Sequence, residues 1–204
     1  MFKYIRVIKK LEGKYIGVGC MGKKQQLQYE KCGEELAYQG AAVAVYKDYI
    51  KLPNGKQVEW DLIKHPGGAG ILPVDRDNNV LLIEQYRNAL DRMTLEIPAG
   101  KRENGEHTSV CAARELEEET GYRSSHIVHL ADSVAAIGYS NEIIGLYYAD
   151  ELEKTKQRLD EDEWIHVRRV SLSDAIAMVL DGIIQDSKTV SAILLYDKVM
   201  TAKD

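Results

Sequence analysis

The 204-residue sequence is poor in cysteine and has no long apolar segment, and each absence excludes a class of protein. Its cysteines, Cys20, Cys32 and Cys111, are odd in number and lack the spacing of a zinc or redox motif. We therefore expect reduced thiols in a cytoplasmic protein, with Cys111 buried on a helix. No apolar run could span a membrane, and the run after the basic amino terminus is too short for a secretory signal.

Positive charge is also in deficit, and repeats and low-complexity tracts are absent. A formal net charge of −5 argues against general affinity for nucleic acid or for an anionic membrane surface. We therefore predict neither a nucleic-acid partner nor a membrane partner. The charge does not exclude a phosphate-bearing substrate, because a bound divalent cation would reverse the local sign.

The apolar pattern predicts an α/β (α+β) fold with mixed strands between helices, after a small β region. Residues 41–65 alternate around Asn54-Gly55, which is typical of a β-hairpin. A second hairpin is predicted for residues 70–87, and residues 26–40 are interpreted as an amphipathic or irregular connector. The other predicted elements are strands at 3–11, 14–21, 93–100, 124–135, 142–152 and 164–170, and helices at about 107–120, 171–182 and 187–200.

The acidic segment from Glu115 to Glu119 lies at an electrostatically unfavourable end of its predicted helix. Glu115, Glu118 and Glu119 share one helical face and precede Gly121, a predicted C-terminal cap, where the helix dipole is already negative. A charge run on a helix is usually a solvated face. Here, however, the helix follows a Pro-Ala-Gly turn that exposes backbone carbonyls. Carboxylates and a carbonyl together suit Mg²⁺ or Mn²⁺, and such a cation would offset the repulsion.

The same segment resembles the Nudix box. Gly100, Glu106 and the run from Arg114 to Gly121 match its fixed positions, and Tyr122 fills the terminal position that is usually aliphatic or aromatic. The surrounding segments LPNGK, IKHPGGAGILPV, IEQYR, LEIPAGKRENGE and QDSKTVSAILLY are similar to the ADP-ribose pyrophosphatase branch of that family. The resemblance covers about residues 40–199.

This resemblance implies an architecture, a cofactor and an assembly. Residues 66–204 are expected to form the catalytic domain, a Nudix-type sandwich of mixed β-sheet between helices. Residues 1–65 are expected to form an antiparallel β region that serves dimerisation and completes the substrate site. The cofactor is Mg²⁺, with Mn²⁺ as an alternative, and the substrate is a nucleoside diphosphate linked to another moiety. The expected assembly is a homodimer that exchanges its β regions.

The resemblance also implies the metal site. The principal ligands are expected to be Glu115 and Glu119, with Glu118 close by and the carbonyl of Ala99 completing the site. Arg114 would hold the carboxylates through a salt bridge, and Glu106 would orient them.

Further residues are expected to act on the substrate. A glutamate of the acidic loop before Trp164 would position the water; Glu163 is the first choice and Glu161 the second, and a merely solvated loop is the alternative. Arg87 matches a phosphate-binding arginine, although it could be a surface residue at a strand end. Glu142 matches a glutamate that lies on the substrate or metal side of the site in relatives. Trp60 is either a group that stacks on adenine across the dimer interface or a core residue.

These assignments predict a Mg²⁺-dependent pyrophosphatase that cleaves ADP-ribose to AMP and ribose 5-phosphate. One departure concerns the substrate: Ala136-Ile137-Gly138 stands where ADP-ribose hydrolases typically have a Ser-Pro-Gly turn. That difference leaves catalysis intact but makes nucleoside-diphosphate sugars an alternative substrate class. A non-catalytic nucleotide-binding module is a second alternative, which the intact box argues against.

Overall fold

The computed structural model describes residues 29–41, 43–161 and 163–202, and the strands predicted at 3–11 and 14–21 lie outside them. The helices are α1 (Thr108–Thr120), α2 (Leu172–Leu180) and α3 (Ser187–Thr201). The strands are β1 (Glu30–Gln39), β2 (Ala44–Lys51), β3 (Gln57–Lys64), β4 (Gly68–Pro73), β5 (Asn79–Arg87), β6 (Arg92–Glu96), β7 (Ala99–Lys101), β8 (Tyr122–Arg123), β9 (His126–Val134), β10 (Ile143–Asp150), β11 (Glu153–Lys154) and β12 (Ile165–Ser171).

A four-stranded mixed sheet forms the central layer, in the order β7-β4-β10-β9. Strands β4 and β10 are parallel, and the other pairs are antiparallel. Because side chains alternate along a strand, Ile71 packs with Leu116 of α1, whereas the next residue, Leu72, packs with Ile193 of α3. Helices therefore cover both faces of the sheet, which confirms the predicted fold class. None of the helices in the described ranges is long and apolar enough to cross a membrane.

Helix α1 has a defined cap at each end. The Nδ1 atom of His107 accepts a hydrogen bond from the backbone N–H of Ser109 at 3.2 Å. Gly121 ends the helix in the left-handed conformation, with φ of 69°. A side chain at Gly121 would also collide with the backbone of Gln157, at 2.7 Å. The predicted helix and its C-terminal glycine cap are confirmed.

A second sheet, β12-β5-β6, is antiparallel and corrects two predictions. The predicted second hairpin was wrong, because β4 and β5 are joined by one turn but belong to different sheets. Between the described parts of these segments there is only the isolated bridge Val74–Val80. The predicted strand 93–100 is also divided, since β6 ends at Glu96 and β7 joins the mixed sheet. Both strands of the supposed hairpin are largely buried, and a turn signal cannot show which neighbour a buried strand pairs with.

The third sheet, β1-β2-β3, confirms the early hairpin and corrects the connector. Strands β2 and β3 pair around Gly55, whose φ of 84° suits the turn. Residues 30–39, interpreted as a connector, form β1 and pair with β2. Register shifts at 31/33 and 36/38 interrupt the alternation of side chains, and β1 is almost entirely exposed, so its apolar pattern did not indicate a strand.

Most apolar side chains of this third sheet are not buried within one chain. Of its apolar side chains only Ile50 is buried, at 8 % exposure, whereas Leu36, Tyr38 and Trp60 are exposed. It joins the rest of the chain at the end of β3, where the N–H of Ile63 donates to the carbonyl of Tyr139 at 2.7 Å. The sheet therefore presents apolar surface that a single chain leaves in contact with solvent.

Candidate active site

A cleft of about 730 Å³ lies beside the carboxylate face of α1. The cleft is lined by residues that include parts of α1, β4 and β7, the end of β5, the loop before β10, the start of α3 and the acidic loop before β12. The lining residues include Arg87, Ala99, Gly100, Lys101, Arg102, Arg114, Glu115, Glu118, Glu142, Arg158, Glu163, Asp186 and Lys188. Most residues that the sequence singled out therefore meet at one cleft.

Two of the α1 carboxylates are buried. Glu119 is only 3 % exposed, and its Oε2 accepts a hydrogen bond from the N–H of Ala99 at 2.9 Å. Burial, together with the charges of Glu115 and Glu163, raises the pKa of Glu119 to about 8. Burial also raises the pKa of Glu115, although Arg114 opposes the change. The fold therefore holds these carboxylates where their charged forms lack sufficient compensation.

Arg114 connects the carboxylates of the box. Its Nη1 donates to Glu115 at 2.7 Å and to Glu118 at 3.0 Å, and its Nε and Nη2 donate to Glu106 at 3.1 and 3.2 Å. The hydrogen bonds from Arg114 lower the pKa of Glu106. Arg114 thus forms the salt bridge that the resemblance implied, whereas Glu106 is linked to these carboxylates through Arg114. Cys111, buried as expected, lies 3.5 Å from Arg114 Nη2, and burial raises the pKa of its thiol to about 12.

The donor set on this face fits hard cations. Glu115, Glu118 and Glu119 lie together on α1 beside Ala99, and Arg114 forms ion pairs with Glu115 and Glu118. In that part of the chain, no three acidic, histidine or cysteine side chains converge closely enough to hold an ion as they stand. Arg114 binds Glu115 and Glu118, while Ala99 binds Glu119. Buried carboxylates whose negative charge is only partly offset favour divalent cations that prefer oxygen ligands.

A buried ion-pair network forms another wall of the cleft. Glu96 is 3 % exposed, and both its oxygens accept from Arg87, at 2.7 and 2.8 Å. Lys188, at the start of α3, also donates to Glu96 and lies 3.0 Å from Asp186. Burial alone would raise the pKa of Glu96, but Arg87, Lys188 and Thr94 lower it to about 2. Arg87 therefore lies at the cleft, as predicted.

The sequence reasoning missed Glu96, Asp186 and Lys188 as site residues. Glu96 gave one usable signal, because it is a charged residue in the otherwise apolar strand segment LEIP. A buried charge without a function is rare, so such a residue needs a partner elsewhere in the fold. Lys188 gave no comparable signal, since a lysine near a helix start usually faces solvent.

The acidic loop separates its two candidate bases. Glu163 lines the cleft, and its Oε2 accepts from the N–H of Asp160 at 3.2 Å. Glu161 is exposed and does not line the cleft. Glu142 lines the cleft as well, 3.2 Å from Nδ1 of His65, which is another residue that the sequence reasoning missed. The geometry therefore favours Glu163 over Glu161.

Trp60 lies away from the cleft of its own chain. It is 49 % exposed on β3, and its ring centroid is 5.9 Å from that of Tyr29. The interpretation of Trp60 as a core residue is therefore wrong for a single chain. Ile137, in the loop that departs from the Ser-Pro-Gly pattern, is 86 % exposed. That loop leads into Glu142 and hence into the rim of the cleft.

Comparisons with known proteins agree with this geometry. The family model described as NUDIX domain matches residues 64–192, more than half of the chain. An ADP-ribose pyrophosphatase of Bacillus subtilis (strain 168) is 36% identical over 171 residues, which cover 83% of this chain and 92% of that protein. A methanol dehydrogenase activator of Bacillus methanolicus is 38% identical over 161 residues, 78% of this chain and 87% of that protein.

The fold has a solved counterpart. A crystal structure of an ADP compounds hydrolase superposes with a TM-score of 0.76 at 20% identity, covering 86% of this chain and 95% of that one. A helix that carries clustered carboxylates beside a mixed sheet and a charged cleft defines a hydrolase of phosphoanhydrides. The chain belongs to the Nudix family, and the resemblance seen in the sequence is confirmed.

Proposed function

We propose that this Nudix hydrolase is a Mg²⁺-dependent pyrophosphatase that hydrolyses ADP-ribose to AMP and ribose 5-phosphate. The observation that carries this function is the meeting of buried Glu115 with cationic Arg87 and Lys188 at one cleft, beside which Glu119 lies buried on the same face of α1. A cleft of about 730 Å³ suits a substrate of this size. The substrate itself is supported by the similarity to the Bacillus subtilis ADP-ribose pyrophosphatase over most of both chains.

Glu115, Glu118 and Glu119, with the carbonyl of Ala99, would hold the cation, for which Mn²⁺ is the alternative to Mg²⁺. When bound, such cations neutralise the pyrophosphate, polarise its phosphorus and lower the pKa of the attacking water. Arg114 keeps Glu115 and Glu118 on the cleft side of α1 through its hydrogen bonds. Glu106 fixes Arg114 in turn.

Glu163 would accept the proton of the attacking water. Its charge raises the pKa of both Glu115 and Glu119, so it lies near the two buried carboxylates. The water oxygen bonds to phosphorus, the phosphoanhydride bond breaks, and the electron pair leaves with the other phosphate. Arg87 would bind a phosphate oxygen with the donors that Glu96 does not use.

The β1-β2-β3 sheet would complete the site in a homodimer. We assign residues 1–65 to an exchanged dimerisation region and residues 66–204 to the catalytic domain. The exposed Leu36, Tyr38 and Trp60 support a second copy as the covering surface, because a small sheet is marginally stable alone. Trp60 would then stack on the adenine in the cleft of the other subunit.

A cytoplasmic location belongs to the same proposal. Cys32 is an exposed free thiol and Cys111 a buried one. An exposed free thiol persists in a reducing compartment, whereas it is oxidised readily outside.

The second candidate function is the hydrolysis of nucleoside-diphosphate sugars. It rests on Ile137 and Gly138, which replace the proline turn expected for ADP-ribose and leave this loop open. Ile137 is 86 % exposed, and a Cβ on Gly138 would meet no atom within 4 Å. The same catalytic residues would serve either substrate class. A non-catalytic role is disfavoured, because the complete carboxylate set would then have no use.

One assay separates these functions. Purified protein with Mg²⁺ is incubated with ADP-ribose, ADP-glucose, GDP-mannose and NADH, and product release is measured, with Glu119→Gln as the control for contaminating hydrolases. Highest kcat/KM for ADP-ribose supports the first function, and highest kcat/KM for a sugar nucleotide supports the second. No turnover of any of the four would overturn both.

A further inference from the structure

Glu96 is the centre of a saturated hydrogen-bond network. Its two oxygens accept from Arg87 Nε and Nη2, from Thr94 Oγ1 at 2.7 Å and from Lys188 Nζ. An ionised carboxylate offers about four acceptor sites, so all of them are used. The carboxylate thus fixes two cationic side chains from distant parts of the chain, one on β5 and one on α3.

Lys188 occupies a position that disfavours a lysine. Its side chain is 12% exposed, and it lies in the first turn of α3, where the helix dipole repels positive charge. Burying an ammonium there costs free energy, and its contacts with Glu96 and Asp186 offset part of that cost. An ammonium has three donors. These two acidic partners therefore leave one donor for a ligand in the cleft that Lys188 lines.

The formal charges of the network balance, but its donors are not all used. Arg87 and Lys188 carry two positive charges, and Glu96 and Asp186 carry two negative ones. The Oδ2 of Asp186 also accepts from the N–H and the Oγ1 of Thr189 at 3.0 and 2.5 Å, which caps α3. An oxygen of an anionic group in the cleft would accept from the remaining donors of Arg87 and Lys188.

The network is also tied to the metal-binding face. Thr189 Oγ1 accepts from the N–H of Ile97 at 2.8 Å, and Ala99, two residues further on, donates to Glu119. A short, hydrogen-bonded stretch of backbone thus sets the distance between Lys188 and the carboxylates. A pyrophosphate in the cleft would lie between the carboxylates of α1 and Lys188, since residues of both line it.

From this geometry we propose that Lys188 binds a phosphate oxygen of the substrate together with Arg87, and that Glu96 is the positioning residue for both. This inference rests on the proposed function, because it needs a pyrophosphate in the cleft. A purely structural role for Lys188, neutralising buried Glu96, is the competing explanation.

Binding of ADP-ribose in EDTA tests Lys188 without turnover. Calorimetry gives the dissociation constant for wild type, Lys188→Gln, Lys188→Arg, Glu96→Gln and the double variant Glu96→Gln/Lys188→Gln. Lys198→Gln is the matched control, since Lys198 is exposed near the other end of the same helix. We expect Lys188→Gln to weaken binding about 10-fold or more, Lys188→Arg to restore much of it, and Lys198→Gln to leave it unchanged.

The double variant separates binding from neutralisation. If Lys188 only neutralises Glu96, the double variant binds as tightly as Glu96→Gln alone, which overturns the proposal. If Lys188 binds the substrate, the double variant binds more weakly than Glu96→Gln, and this comparison also serves as the test should Lys188→Gln fail to fold. Normal affinity in a folded Lys188→Gln protein would overturn it as well. A wild type without activity on any nucleoside diphosphate would instead refute the proposed function.

Discussion

A Cβ atom on Gly100 would lie 2.0 Å from Oε1 of Glu115, so the carboxylate of Glu115 packs against the strand only because residue 100 is a glycine. Gly100 lies in β7 and Glu115 in α1, and both line the cleft. The φ of Gly100 is not among the positive values of the described residues. The glycine that opens the box is therefore required for space rather than for backbone conformation.

Gly100→Ala should fold and lose activity. The atom in the way is the end of a flexible side chain, so Glu115 can rotate aside at little cost in stability. Its carboxylate then leaves the cleft geometry, and a displacement of about 1 Å can lower the rate about 10²-fold. We expect kcat to fall by about that factor, with the melting temperature nearly unchanged, in steady-state kinetics and thermal unfolding.

Gly33→Ala is the matched control for this change. A Cβ at Gly33 meets only a side-chain atom of Tyr49 at 3.5 Å, an ordinary contact. Its kinetics should equal those of the wild type. Full activity in Gly100→Ala would show that the position of Glu115 is not critical.

Glu119→Gln should abolish most turnover without unfolding the protein. The substitution keeps an acceptor for the N–H of Ala99 but removes a metal-binding charge. Near-wild-type turnover with Mg²⁺ would remove Glu119 from the metal site. Circular dichroism and thermal unfolding distinguish this loss from a loss of fold.

The same variant, Glu119→Gln, should remove the part of the pH dependence of stability that Glu119 causes. The unfolded chain releases the Glu119 proton near pH 4.5, whereas the folded chain retains it up to about pH 8, because the carboxylate is buried. Between these values the folded state binds the extra proton, so rising pH lowers the free energy of unfolding. In EDTA, the stability gain of Glu119→Gln over wild type should grow from pH 5 to pH 8. A constant difference across this range would contradict the raised pKa.

The catalytic base is tested by two parallel substitutions. Glu163→Gln should lower kcat about 10²-fold or more with little change in KM, which is the range of a general base. Glu161→Gln is the control within the same loop and should be mild, because Glu161 is exposed outside the cleft. The reverse pattern would transfer the role to Glu161, and two mild effects would exclude the loop from proton transfer.

Assembly is tested by light scattering at micromolar concentration. We expect a dimer, because the β1-β2-β3 sheet exposes Leu36, Tyr38, Val43 and Trp60 in a single chain. An interface of this kind should be apolar and obligate, so dilution should reduce activity together with mass. A fully active monomer would rule out a shared site.

Trp60→Ala tests the contribution of the β region to substrate binding. We expect KM for ADP-ribose to rise while kcat changes little, because stacking on adenine acts on binding. Tyr38→Ala is a suitable comparison, since Tyr38 is exposed on β1 of the same sheet. A dimer whose KM is unaffected by Trp60→Ala would keep the assembly but remove Trp60 from the site.

Local signals in the sequence sufficed for several elements. Helix α1 and its Gly121 cap, and the β2–β3 hairpin with Gly55 at its turn, depend on residues within one turn or two neighbouring strands. The carboxylates of the box helix also depend on local signals. Glu115, Glu118 and Glu119 lie within five consecutive positions, at a spacing that helix geometry alone places on one face.

Strand pairing was decided by the tertiary structure. The turn between β4 and β5 is local, but β4 pairs with β7 and β10, and β5 with β6 and β12. Strand β1 escaped detection because register shifts interrupt its alternation. Such choices depend on which buried surfaces meet, and a short window of sequence does not contain that information.

The charged residues around the cleft show the same contrast between what local sequence determines and what long-range packing determines. The sequence by itself determined the acidic side, Glu115, Glu118 and Glu119, because their spacing matches the turn of a helix. The cationic side was decided by folding: Glu96 and Lys188 are 92 positions apart and pair only because β6 and the start of α3 pack together. A buried carboxylate can bind whichever cation the fold brings to it, so its partner is settled by long-range packing and not by spacing.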